Sequence, residues 1–126
     1  MSLSLKLEYL SDWNEQRRQI ASRYRLALES IGSVSCLEDL SNGGHVYHLF
    51  VVRVAGRAGL LDRLHEAGIG AAIHYPVPLH RQPSLAGLGY AADQFPVANR
   101  LADDILSVPI YPGLTNDQVE LVVLSL

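Results

Sequence analysis

Apolar residues recur every three to four positions through the first quarter of the chain, a spacing typical of an amphipathic helix. The repeating positions, apolar except at Arg17 and the alternative Asn14, are Leu7, Leu10, Trp13 or Asn14, Arg17, Ile20 or Ala21, Tyr24 and Leu28. The pattern predicts one long helix over residues 5–30 that stops at Gly32. If the helix is interrupted near its beginning, Ser11 or Asp12 would cap the restart.

Three later stretches have the composition of β-strands. Residues 45–54 are rich in aromatic and β-branched side chains and contain no glycine or proline, which predicts a strand buried on at least one face. A short apolar run over residues 69–74 predicts a second strand, and residues 106–109 predict a third. The polar, glycine-containing residues 34–44 predict a connection between the first helix and the first strand.

Helix signals lie between these strands. Gly56 opens a helix over residues 57–67, and Gly68 follows it as a C-terminal stop. Pro96 begins another helix over residues 97–105, in the first turn, where a missing backbone N–H costs nothing. Both helices therefore have a defined beginning.

The last helix is predicted over residues 115–126, because Thr115 and Gln118 have the spacing of a capping box. Strands that alternate with helices predict an α/β fold of two layers. We expect a small domain with a three-stranded, or four-stranded, sheet covered by helices and preceded by a long N-terminal helix. Residues 1–32 would form that helix and lead into a small domain of residues 33–126.

The composition excludes some classes of partner. The 126 residues carry 13 acidic and 10 basic side chains, so we expect no nucleic-acid binding. No apolar run is long enough to span a membrane and no secretory signal pattern occurs, so we expect a cytoplasmic protein without membrane attachment. A mean hydropathy of +0.12 favours an apolar surface that meets a partner.

The common metal-binding and nucleophile spacings are missing. His45 and His48 lie three residues apart on a predicted strand and would point to opposite faces. Cys36 has no cysteine partner for a zinc site, and no glycine-flanked serine elbow occurs. The NGG sequence at residues 42–44 precedes a strand, which favours a turn over a phosphate-binding loop. We therefore expect no metal ion.

A loop over residues 74–83 concentrates polar chemistry. Three prolines within eight residues, Pro76, Pro78 and Pro83, exclude a helix or a central strand. The loop carries five side chains able to bind an anionic or hydroxyl-rich ligand: His74, Tyr75, His80, Arg81 and Gln82. Proline would hold these groups with little ordering cost on binding. A single helical turn is predicted after the loop, over residues 84–90.

Four segments carry a resemblance to a known family. They are WNEQRRQIASRY (13–24), HLFVVR (48–53), IHYPVPLHRQP (73–83) and FPVANRLADDILSVPIYPGLT (95–115). Together they resemble the C-terminal part of the DegT/DnrJ-type sugar aminotransferases, fold-type I enzymes that use pyridoxal 5′-phosphate (PLP). The resemblance extends from about Leu5 to Leu126.

The resemblance implies transfer of an amino group, usually from glutamate, to a keto-sugar nucleotide. In this family the Schiff-base lysine and the other PLP ligands lie in a large N-terminal lobe. The only lysine here, Lys6, has no surrounding motif, so no catalytic residue is carried over and no PLP is expected on this chain alone.

The family's small-domain loop closes over the sugar nucleotide, usually at a dimer interface. His74, Tyr75 and His80 match positions of that loop, and Arg81 and Gln82 complete the predicted substrate-binding set.

Three interpretations remain open on the sequence. The chain is the small domain of a sugar-nucleotide aminotransferase, inactive alone, whose partners are a large lobe or a second subunit. Alternatively it is a free-standing binding or assembly module derived from that family. A third interpretation is an unrelated α/β domain that oligomerises. Self-association is expected, because the faces that would meet a large lobe are exposed.

Overall fold

The computed structural model describes residues 3–126, so the first two residues of the predicted 1–32 segment lie outside it. Its α-helices are α1 (Leu3–Leu7), α2 (Leu10–Leu28), α3 (Arg57–Glu66), α4 (Pro96–Asp104) and α5 (Asn116–Ser125). Its strands are β1 (Val34–Cys36), β2 (Phe50–Val54) and β3 (Ile105–Val108). Two short 3₁₀ helices, Leu79–Arg81 and Pro83–Leu88, lie between α3 and α4.

The three strands form one antiparallel sheet in the order β1-β2-β3. Val34 pairs with Val54 at one side of β2, and Phe50 pairs with Val108 at the other. Alternate residues of β2 are buried, as expected for a strand with one face on the core. The predicted class, a small α/β domain with a three-stranded sheet preceded by a long N-terminal helix, is confirmed, and the 19-residue α2 is that helix.

The core lies between this sheet and the helices. α2 contributes Ile20, Ala21, Tyr24 and Leu28, all buried, and packs against β1 and α5. The Tyr24 ring lies 4.9 Å from that of Phe50, and its hydroxyl donates a 3.0 Å hydrogen bond to the Pro109 carbonyl. A buried phenol needs such an acceptor. Burial also raises the pKa of Tyr24 well above its usual range.

Several predicted elements form close to the expected positions. α3, α4, β3 and α5 begin and end within one residue of the predicted bounds. The capping box is present, since the Thr115 hydroxyl accepts from the Gln118 N–H and the Gln118 side chain accepts from the Thr115 N–H. Gly68 has φ +75°, the left-handed conformation expected after the end of α3.

The long N-terminal helix is present, but its predicted bounds, residues 5–30, are wrong. A turn at Glu8 and Tyr9 separates α1 from α2, and α2 starts at Leu10 without a side-chain cap. Neither Ser11 nor Asp12 is the cap. The helix also ends at Leu28 and does not run on to Gly32.

The predicted strand over residues 45–54 is half as long as expected. Tyr47 has φ +47°, and its N–H donates to the His45 ring and not to a neighbouring strand. A residue in this conformation cannot continue a ladder, so β2 begins only at Phe50.

The predicted strand over residues 69–74 is wrong. The Ile69 N–H donates to the Leu64 carbonyl and so closes the end of α3, and only Ala72 pairs with a strand, through Ser107 of β3. The connection predicted over residues 34–44 was also incomplete, because β1 lies in it.

Candidate functional site

The loop over residues 74–83 leaves the sheet where Ala72 pairs with β3. The peptide bond between His74 and Tyr75 is cis. Pro78 is extended and precedes the first 3₁₀ helix, and Pro83 begins the second. The predicted loop is therefore held at its origin by the sheet and along its second half by two short helices.

His74 is anchored to the sheet through its side chain. Its Nδ1 lies 3.0 Å from the hydroxyl oxygen of Ser107, a buried residue of β3. The ring is half-buried, and the Tyr75 ring meets it edge-on at 5.5 Å and 88°. Tyr75 itself is 71% exposed. The structure thus brings these two predicted residues together, one fixed and one facing solvent.

His80 occupies a separate environment. Its ring lies 4.9 Å from the Phe95 ring at the start of α4, and Nε2 is 3.4 Å from the Ala92 carbonyl oxygen. Asn99 of α4 donates a 2.7 Å hydrogen bond to the same carbonyl. Phe95 in turn meets the Tyr90 ring edge-on at 5.3 Å. His80 is therefore held against α4, and within residues 3–126 no hydrogen bond joins it to His74.

Arg81 and Gln82 have different roles in the loop. The Gln82 amide donates a 3.1 Å hydrogen bond to the Val77 carbonyl, which closes the loop on itself. Arg81 is exposed, and no acceptor for its guanidinium lies within the described part of the chain. The Arg81 guanidinium is therefore exposed and unpaired within these residues, whereas part of the hydrogen-bonding capacity of Gln82 is used internally.

An apolar cleft of about 380 Å³ adjoins the loop. It lies between the two 3₁₀ helices and α4, with His80 at its wall, and its lining includes Leu79, Leu88, Tyr90 and Phe95. These four side chains are between 38% and 74% exposed. A polar loop beside an apolar hollow has the mixed character of many ligand sites.

The comparison with known proteins gives the family. The model of the DegT/DnrJ/EryC1/StrS aminotransferase family matches residues 2–126. This chain belongs to that family.

Three relatives give the extent of the match. The erythromycin biosynthesis sensory transduction protein EryC1 of Saccharopolyspora erythraea is 37% identical over 124 residues, which are 98% of this chain and 34% of that protein. The dTDP-3-amino-3,6-dideoxy-α-D-galactopyranose transaminase of Aneurinibacillus thermoaerophilus is 37% identical over 96% of this chain and 32% of its own length. The crystal structure of S. venezuelae DesV in complex with a ketimine intermediate superposes with a TM-score of 0.91 and 32% identity, covering 98% of this chain and 33% of that one.

The chain therefore spans about a third of the length of the relatives it matches.

The residues of this chain do not fit a PLP site. The family is PLP-dependent, and PLP chemistry needs a lysine amine directed at the cofactor. The only lysine is Lys6, which is exposed on the five-residue helix α1, whereas the loop lies beyond the sheet edge at β3. We therefore derive no chemical step through PLP from these residues.

A second polar cluster lies away from the loop. Asp39 accepts hydrogen bonds from the Ser41 hydroxyl and N–H, at 2.5 and 2.9 Å, and from the Tyr47 hydroxyl at 2.8 Å. These bonds, those from Ser41 first, hold the pKa of Asp39 at about 2. Arg25 lines the same hollow but donates to the Leu37 carbonyl. The Asp39 carboxylate is thus hydrogen-bonded by residues of the same cluster, and these bonds stabilise the segment before β2.

Other sequence-level candidates have ordinary surroundings. Cys36 is half-buried, and burial raises the pKa of its thiol, which disfavours the nucleophilic thiolate. Over residues 3–126, no three His, Cys, Asp or Glu side chains are grouped so as to hold a metal ion. No helix in the same range has the length and apolar character needed to cross a membrane.

Three residues near the loop were not predicted from the sequence. Ser107, Phe95 and Asn99 support His74 and His80 from β3 and α4. All three lie in the segment FPVANRLADDILSVPIYPGLT that carried the family resemblance, but no local pattern indicates which loop residue each one contacts.

Proposed function

We propose that this chain is the small C-terminal domain of a PLP-dependent aminotransferase that moves an amino group, with glutamate as donor, to a keto-sugar nucleotide. In this proposal, residues 1–32 join a small domain of residues 33–126 to the cofactor-binding lobe. The observation that carries it is the family match over residues 2–126 together with an anchored polar loop on the same fold. The names of several relatives, which specify dTDP- or UDP-linked sugars, support the substrate class.

The loop would bind the sugar nucleotide and would not perform the amino transfer. Arg81 offers a free guanidinium for a diphosphate, since charge-assisted hydrogen bonds to phosphate are among the stronger ones in proteins. The exposed hydroxyl of Tyr75 can donate to or accept from a sugar hydroxyl. His74 and His80, each held on one side, would present the rest of the imidazole to the ligand.

This chain alone is expected to be inactive. Lys6 is its only lysine and has no PLP-binding surroundings. When bound, PLP supplies the electron sink for amino transfer. The isolated chain should therefore not retain PLP through gel filtration. Stoichiometric retention would contradict this part of the proposal.

Calorimetry tests substrate contact directly. The isolated chain is titrated with dTDP-glucose and with UDP-N-acetylglucosamine, as accessible sugar nucleotides. We expect weak binding, with a Kd of about 1 mM, because one loop supplies only part of a site. Arg81→Ala should reduce the affinity, whereas Arg63→Ala, which removes an exposed arginine from α3, should not. Binding that is the same in wild type and Arg81→Ala would show that the loop is not the site.

One observation favours a second function, a non-catalytic binding or assembly module. The single exposed lysine leaves this chain without a group for PLP chemistry. If such a module acts without a cofactor lobe, sugar nucleotide should bind with micromolar affinity to the isolated chain. Affinity that rises only when a cofactor-binding lobe is added would instead favour the aminotransferase.

A further inference from the structure

We propose that Ser107 is a positioning residue that fixes the orientation and tautomer of His74, so that the imidazole presents Nε2–H to the ligand. The inference deepens the proposed function and rests on it for the identity of that ligand. His74 would be a contact residue of the sugar nucleotide, and Ser107 would act only through His74.

Ser107 is held rigidly by its own strand pairing. It lies in β3 with 4% of its surface exposed. Its N–H donates to the Ala72 carbonyl at 2.7 Å, and its carbonyl accepts from the Ala72 N–H at 3.0 Å. Both backbone groups are therefore occupied by the segment that enters the loop. The side-chain hydroxyl remains available.

That hydroxyl meets His74, two residues after Ala72. The distance from the serine oxygen to Nδ1 is 3.0 Å, within the normal range for a hydrogen bond. The second ring nitrogen of His74, Nε2, has no hydrogen-bond partner among residues 3–126. The same serine thus holds both the origin of the loop and the first binding residue on it.

The direction of this hydrogen bond follows from accounting for the serine proton. A buried hydroxyl needs an acceptor, and within the described residues His74 Nδ1 is the one partner of the Ser107 hydroxyl. If Nδ1–H donated to the serine instead, the serine hydrogen would be left buried without an acceptor. Ser107 therefore donates to Nδ1, and the neutral ring carries its hydrogen on Nε2.

This assignment has a consequence for recognition. Nε2–H is a donor, which suits phosphate, hydroxyl or carbonyl oxygens and does not suit another donor. A free imidazole exchanges between two tautomers, so only part of the population would present the correct group. Fixing one tautomer removes that loss and part of the ordering cost on binding.

Nitrogen-15 NMR of the histidine rings tests the claim without any ligand. The spectra are recorded at a pH of about 8.5, where imidazoles are neutral, and His74→Gln identifies the His74 signals by their loss. We expect wild type to show the Nε2–H tautomer. Ser107→Ala should give a mixture of tautomers, and Ser107→Thr, which keeps the hydroxyl on a strand-compatible side chain, should restore the single form.

Ser33→Ala, an exposed serine replacement away from the loop, is the matched control and should leave the His74 signals unchanged. Circular dichroism and the backbone amide spectrum establish that each variant is folded. An Nδ1–H tautomer in wild type, or identical tautomers in wild type and folded Ser107→Ala, would overturn the proposal.

A calorimetric titration with dTDP-glucose separates this inference from the proposed function. Ser107→Ala should bind about threefold to tenfold more weakly than wild type, the factor expected for losing one hydrogen bond's contribution. Ser107→Thr should recover most of the loss. Expected tautomers without any sugar-nucleotide binding in wild type would support the role of Ser107 and contradict the proposed function.

Discussion

Asp39 makes the stability of the segment before β2 depend on pH. Its carboxylate accepts from Ser41 and from Tyr47, and these hydrogen bonds lower its pKa to about 2 from an ordinary value of 3.8. Because the folded-state pKa is lower than the unfolded one, the contribution to stability is present above pH 3.8 and is lost as the pH falls towards 2.

We predict how steeply the free energy of unfolding falls with pH between 3.8 and 2. Wild type should lose unfolding free energy between these two pH values more steeply than Asp39→Asn, whose amide does not titrate. Asp62→Asn, an exposed change on α3 at a carboxylate with no hydrogen bond in residues 3–126, should follow the wild-type slope. Urea unfolding at a series of pH values measures it. Equal slopes for wild type and Asp39→Asn would contradict the assignment.

Some residues of the candidate site could be predicted from the sequence and others could not. The loop residues could be named from the sequence because prolines and polar groups are concentrated within ten positions. Ser107 could not, because it lies 33 residues from His74 and their meeting depends on how β3 pairs with Ala72. Whether the five loop residues bind substrate stays a prediction.

The elements were predictable where local signals agree. Proline in the first turn of α4 and the capping box of α5 define helices whatever surrounds them. The predicted strand over residues 69–74 does not form, because the Ile69 N–H bonds to the end of α3 and only Ala72 pairs with β3. β1 was not predicted, because a strand of three residues between polar neighbours shows no periodic pattern. Its formation depends on pairing with β2.

The position of α4 depends on arginines from two other elements. Arg57 of α3 donates hydrogen bonds to the Ala102 carbonyl and, at 3.2 Å, to the Ile105 carbonyl. Arg53 of β2 pairs with Asp104 at 3.0 Å. Because the last carbonyls of a helix lack partners within it, Arg57 supplies a donor to the Ala102 carbonyl in the last turn of α4.

Replacing Arg57 should therefore loosen α4. Arg57→Met keeps the apolar stem but removes the donors, and should lower the free energy of unfolding by about 1–2 kcal/mol, less than a fully buried charged hydrogen bond because the site is half-exposed. Arg63→Met on the exposed side of the same helix should change it by less than about 0.5 kcal/mol. Chemical denaturation compares them, and similar losses in both variants would contradict this role.

At the scale of the whole molecule, the fold class and the family could be predicted from the sequence, because both depend on patterns spread over the full chain. The exposed apolar surface of the molecule includes the short helix α1. α1 has no buried residue, and Leu3 and Leu7 are 81% and 65% exposed. Such a surface is typical of a contact with another part of a protein or with a second copy.

We expect the isolated chain to self-associate through α1. Sedimentation velocity at high micromolar concentration should show a dimer or larger species, and Leu7→Glu should shift it towards monomer. Leu124→Glu, at a comparably exposed position on α5, is the control and should leave the association unchanged. A wild-type chain that remains monomeric, or equal association in Leu7→Glu, would contradict the role of α1.

The central claim is that this chain supplies the substrate-binding small domain of a sugar-nucleotide aminotransferase. The most direct test replaces the matching 123-residue segment of the Aneurinibacillus thermoaerophilus transaminase with this chain and measures amino transfer by the purified, PLP-loaded chimera. We predict activity, with a raised KM for the sugar nucleotide in Arg81→Ala and no change in Arg63→Ala. A folded, PLP-loaded chimera that transfers no amino group, or one whose KM for the sugar nucleotide is unchanged by Arg81→Ala, would contradict the account.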